Sequence, residues 1–146
     1  MFSSDDAVFM IGWEYPPHNS GGLGVACQGI TESLSEMGTQ IFFTLPHGNV
    51  VPLRHMQVLN CSDASWFTNS NPSNQPPFFA YSSSSPVPHR FYAGKFDQTR
   101  LHLLPESELE EKVGQYADLV ATEGKKHERE YRIIHAHDWM SFPAAR

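Results

Sequence analysis

Two clusters in this sequence have the residue types and spacing to do chemistry. The first is the run Trp13-Glu14-Tyr15-Pro16-Pro17-His18-Asn19-Ser20-Gly21-Gly22-Leu23-Gly24, and the second is His135-Ala136-His137-Asp138-Trp139. In the first, Gly21, Gly22 and Gly24 lack β-carbons, so the backbone can approach a phosphate closely, and a helix beginning there would offer unpaired amides and a partial positive charge. A pyrophosphate suits such a loop. The same glycines would equally serve a tight strand-to-helix turn with no ligand. Two nucleotide motifs fail on spacing. No Gly-Lys-Ser/Thr follows, and Gly22-Leu23-Gly24-Val25-Ala26-Cys27 lacks the last glycine of a dinucleotide fingerprint. Thr44-Leu45-Pro46-His47 offers no acid for a ribose, which disfavours a nicotinamide enzyme.

In the second cluster, strand alternation puts His135 and His137 on one face and Asp138 on the other, unless the strand has already ended. Paired imidazoles and a carboxylate are ligands for zinc or iron. Trp139-Met140 stands where a metallo-hydrolase core would need a further histidine, and no strong third ligand completes a set, so no metal is expected. His135 reads as a half-buried strand histidine, whereas His137 lies nearer the strand end and a substrate. Glu14 could accept hydrogen bonds from a sugar or fix its own loop. Pro16-Pro17 locks two φ angles and lowers the entropy lost on clasping a ligand.

The elements that must position these clusters follow from patterning. Residues 7–12 form a continuous apolar run, the signature of a strand covered on both faces in a parallel sheet. Val25, Ala26, Ile30, Leu34 and Met37 recur at helical spacing and predict a helix with that stripe buried, closed by Gly38. Residues 39–46 read as a second strand stopped by Pro46, which makes a βαβ unit and an α/β fold. Short strands are expected at 50–53 and 56–59, with a hairpin as one arrangement. A polar, proline-punctuated insertion runs over about 60–88, with Phe78, Phe79, Tyr81, Phe91 and Tyr92 to pack it down. Residues 101–105 read as a strand. Leu109, Val113, Tyr116, Ala117, Val120 and Ala121 define the longest helical stripe, with Glu106, Glu108, Glu110 and Glu111 at its start and Lys125, Lys126 and Arg129 at its end, complementing the macrodipole. Residues 132–138 return to strand character. Ser141-Phe142-Pro143-Ala144 looks like the opening of another helix with serine in the capping position, so the sequence reads as truncated.

Composition narrows the partners. The chain has 146 residues, 40% of them hydrophobic, enough for one packed domain. Ten Lys and Arg against 16 Asp and Glu give a net charge of −6, which argues against nucleic acid and anionic membrane surfaces. Cys27 and Cys61 do not make a disulfide scaffold and read as free thiols in a reducing compartment. The N-terminus is acidic where a secretory leader would be basic, and no apolar run approaches the ~18 residues that span a bilayer. A cytoplasmic location is the expectation.

Taken together, Glu14-Tyr15-Pro16-Pro17-His18-Asn19-Ser20-Gly21-Gly22-Leu23-Gly24 and His135-Ala136-His137-Asp138-Trp139, in that order around a βαβ unit and an insertion, resemble the N-terminal domain of glycogen and starch synthases and related retaining glycosyltransferases. The resemblance implies a Rossmann-like parallel sheet forming an incomplete N-terminal, acceptor-side domain (1–146) of a two-domain GT-B architecture. It implies transfer of a glycosyl unit, glucose, from a nucleotide sugar to an acceptor sugar or glucan with retention. Gly21, Gly22, Leu23 and Gly24, with Glu14, would lie on the donor diphosphate and substrate side. His137 and Asp138 would be catalytic, and no metal or other cofactor would be needed. The family commonly carries a lysine ahead of the glycine loop where this chain has His18-Asn19-Ser20, which points toward the broader sister group rather than a bacterial ADP-glucose synthase. The resemblance also implies a C-terminal Rossmann-like domain as partner, without which the chain would be inactive. A non-catalytic sugar- or nucleotide-binding module, or a degenerate fragment, is the alternative.

Overall fold

The computed structural model describes residues 7–17, 22–46, 53–61 and 106–146, the side chains of 106–109 excepted. Four strands, β1 (Ala7–Ile11), β2 (Ile41–Leu45), β3 (Gln57–Asn60) and β4 (Tyr131–Ala136), form one sheet in the order β3-β2-β1-β4, every pair parallel. Two helices, α1 (Gly22–Glu36) and α2 (Glu106–His127), and a 3-10 turn at Phe142–Ala145 complete it. This is the α/β, Rossmann-like arrangement that the sequence predicts.

β1 and β2 are buried at every position, as continuous apolar runs require when both faces of a sheet are covered. Alternation sorts their side chains. Ala7, Phe9 and Ile11 pack with Val113, Tyr116 and Val120 of α2, while Val8 and Met10 pack with Cys27 of α1. The helices therefore cover opposite faces. Register runs from Val8 opposite Ile41 to Ile11 opposite Thr44, and from Val8 opposite Ile133 to Ile11 opposite Ala136.

Tyr116 ties α2 to the carboxyl end of β1. Its hydroxyl donates to the Gly12 carbonyl at 2.6 Å and lies 3.0 Å from Thr44 Oγ1, and its ring meets Trp13 edge-on at 5.2 Å. Complete burial raises the phenol pKa well above its usual value, so the proton stays on to donate.

Several expectations are corrected. On α1 the buried residues are Gly24, Cys27 and Thr31, while Val25, Ala26, Ile30 and Met37 of the expected stripe are exposed, Val25 by 58% and Met37 by 57%. Leu34 does pack, with Leu23 beside it. β3 pairs in parallel with β2, and Leu53, the one described residue of the expected strand at 50–53, lies outside any strand. Ser141 makes no capping hydrogen bond; its hydroxyl is 2.6 Å from the His137 carbonyl and 2.7 Å from that of Asp138, folding the chain back on β4. α2 ends at His127, so Lys125, Lys126 and His127 form its basic last turn and Arg129 falls beyond it. The expected strand at 101–105, the residues 50–52, nearly all of the insertion with its aromatics, and His18 to Gly21 lie outside the described residues.

Candidate functional site

The strand order contains a reversal. From β1 the chain passes to β2 and then β3 on one side, and β4 is added on the other side of β1. Ligand crevices of open parallel sheets form at such a switch point, beyond the carboxyl ends of the two diverging strands. Here those ends carry Gly12 to Pro17 from β1 and His137 to Trp139 from β4. The start of α1 joins them.

β4 delivers His137 by extending its ladder one step: the His137 amide donates to the Ile11 carbonyl at 2.9 Å. His135 and His137 share a face as alternation requires, with ring centroids 4.2 Å apart. Contrary to the half-buried expectation, His135 is exposed, whereas His137 is buried with 8% of its surface accessible. Burial, assisted by the neighbouring His135, lowers the His137 pKa from 6.5 to about 4, so the imidazole is neutral at physiological pH. Its Nε2 is buried and has no hydrogen-bond partner among the described residues.

The strand has ended by Asp138, which takes the left-handed conformation at φ 71°, tolerable for an aspartate. Its Oδ1 accepts from the Trp139 amide at 2.6 Å, and its Oδ2 is buried without a partner among the described residues. This reversal turns the carboxylate toward α1, where its field acts on Cys27. Glu14 does the same from the β1 side and is wholly buried. Cys27 thus feels both carboxylates, its thiol pushed up to about 12 by burial first and by Glu14 and Asp138 after it. That thiol stays protonated and unreactive. Cys61 is likewise free and buried.

Of the glycine loop, Gly22 opens α1 and is exposed, and a β-carbon there would meet no atom within 4 Å. Leu23 is partly buried against both core clusters and Gly24 is buried. The first turn of α1 carries no acidic side chain to offset its dipole. The peptide bond between Pro16 and Pro17 is cis. No group of three or more His, Cys, Asp or Glu among the described residues could hold a metal ion. No helix among them is long and apolar enough to cross a membrane.

Gly12 was legible in the sequence only as the end of an apolar run, yet a β-carbon there would come within 2.4 Å of the Phe43 ring. Phe43 in turn lies 6.4 Å from the His137 ring and 5.3 Å from Tyr15. Only the placement of these residues in the fold reveals that packing.

A four-stranded parallel sheet with helices on opposite faces and a reversal in strand order defines a Rossmann-like α/β domain. The chain matches the family described as the starch synthase catalytic domain over residues 7–145, and it belongs to that family of glycosyltransferases. A search of the curated proteins finds no match.

Proposed function

We propose that the chain forms the acceptor-side wall of a GT-B glycosyltransferase, moving a glucosyl unit from a nucleotide sugar to an acceptor sugar or glucan with retention. The observation that carries this reading is His137, a buried, neutral imidazole at the switch point whose Nε2 has no partner among the described residues. A neutral imidazole can exchange a hydrogen bond with a sugar hydroxyl without bringing a buried charge to the donor. The open start of α1 faces the donor diphosphate, supplying amides and the positive end of the helix dipole in place of a metal. Asp138 sits beside His137 on the same wall, and Glu14 fixes the loop that leads to the glycines.

In this reading residues 1–146 are part of an N-terminal domain with a polar insertion at about 60–88, and a second Rossmann-like domain supplies the opposing wall. Displacement takes place on the front face, with the departing phosphate taking the acceptor proton as the glycosidic bond forms. The enzyme works in the cytoplasm. The test is to incubate the chain with ADP-, UDP- and GDP-glucose and a maltooligosaccharide, alone and joined to a second Rossmann-like domain. Transfer should appear only in the joined form. Turnover by the isolated chain would overturn the two-domain requirement, and binding without turnover in the joined form would favour a non-catalytic module.

A further inference from the structure

Beside the switch point, three side chains from three separate segments meet on the α1 face of the sheet. The Tyr15 hydroxyl lies 3.1 Å from Thr31 Oγ1 and 3.1 Å from His55 Nε2, and Thr31 Oγ1 lies 3.2 Å from the same His55 nitrogen. Tyr15 belongs to the loop after β1, Thr31 to α1, and His55 to the residues ahead of β3.

One arrangement of protons gives each contact of this triangle a donor and an acceptor. Thr31 donates its hydroxyl proton to the Gln28 carbonyl at 3.0 Å, so within the triangle its oxygen accepts. Burial holds the Tyr15 phenol above its usual value, so that hydroxyl keeps its proton and donates to Thr31. If His55 Nε2 carried a lone pair, it would face the Thr31 oxygen with no hydrogen between them. With a proton on Nε2, shared between the two oxygens, all three contacts have a donor and an acceptor. In that arrangement His55 carries its proton on Nε2.

Tyr15 is also in the packing that leads to His137. Its ring meets Phe43 edge-on at 5.3 Å. The Phe43 ring occupies the space that a β-carbon at Gly12 would need, and it lies 6.4 Å from the His137 ring. Tyr15 and Phe43 lie in the same buried cluster, so a change in how the Tyr15 ring is held is felt at Phe43.

We propose that Tyr15, clasped by Thr31 and His55, is a positioning residue that sets the orientation of the His137 imidazole through Phe43. Calling this orientation functional rests on the reading in which His137 faces the substrate. The clasp itself can be tested without substrate. In the full chain, the His137 Hε1 resonance is compared with that of His127, whose ring packs on Phe42 at 4.9 Å on the other face of the sheet and serves as the internal control.

Tyr15→Phe keeps the ring and removes only the hydroxyl. It should shift or broaden the His137 resonance by more than its linewidth and leave His127 in place. His55→Ala should do the same, and His55→Gln, whose amide can donate to the same two oxygens, should return His137 to its original position. A stationary His137 signal in both Tyr15→Phe and His55→Ala would overturn the clasp. So would an equal movement of His127, which would mean general loosening. A moved His137 signal in a joined enzyme that transfers no sugar would instead count against the proposed reaction alone.

Discussion

On the α2 face of the sheet, the buried phenol of Tyr116 donates to Gly12, lies beside Thr44 and packs on Trp13. On the α1 face the same strand ends lead to His137 and Asp138, where a buried nitrogen and a buried oxygen lack partners among the described residues. Both regions adjoin the carboxyl end of β1, yet Tyr116 spends its hydroxyl on the Gly12 carbonyl while His137 and Asp138 each keep a buried polar atom without a partner among the described residues. Leaving a buried polar atom unpaired costs about 1–3 kcal/mol, a cost that natural sequences retain where a ligand can offset it. The closed face holds the open one in place, because Gly12 is gripped by Tyr116 on one side and abutted by Phe43 on the other.

Breaking the junction between the faces should have the largest effect. Gly12→Ala drives a β-carbon to within 2.4 Å of the buried Phe43 ring, and should cost about 3 kcal/mol in urea unfolding. A loss below about 0.5 kcal/mol would show that Phe43 yields easily. Next comes the open face, through its acid limb. The unfolded chain takes up a proton at His137 near 6.5, whereas the folded chain excludes it until about 4. Between those values the unfolded state binds more protons, so stability falls as the pH drops through that window. His137→Gln should abolish on the order of 2 kcal/mol of this fall, read as the difference between the two proteins' pH profiles. Superimposable profiles would mean that His137 is solvated. On the closed face, Tyr116→Phe removes one hydroxyl and leaves the Gly12 carbonyl without that donor, an expected loss of about 1.5 kcal/mol by thermal unfolding.

The parts of this comparison differ in how far they can be read from sequence. The continuous apolar runs of β1 and β2 predict strands covered on both faces, and the stripe Val113, Tyr116 and Val120 predicts the inward side of α2, because each is a local pattern. α1 misleads because hydropathy favours Val25, Ile30 and Met37, while close approach to the sheet favours Gly24, Cys27 and Thr31. Two stripes of equal period compete, and side-chain size decides. His135 and His137 share a face by simple alternation. The reversal at Asp138 that turns its carboxylate toward α1 depends on a left-handed residue that only the folded backbone shows. The Tyr116 to Gly12 bond and the Tyr15, Thr31 and His55 triangle join residues far apart in the chain, with His55 in a stretch that has no period to mark it.

The account turns on His137 being the group that the open face presents to the sugar. The most direct test is glucosyl transfer from a nucleotide sugar to a maltooligosaccharide by the enzyme that joins this chain to a second Rossmann-like domain, comparing the original protein with His137→Ala at equal folded fraction. The account predicts a fall in kcat on the order of 100-fold. Undiminished transfer by His137→Ala would contradict it.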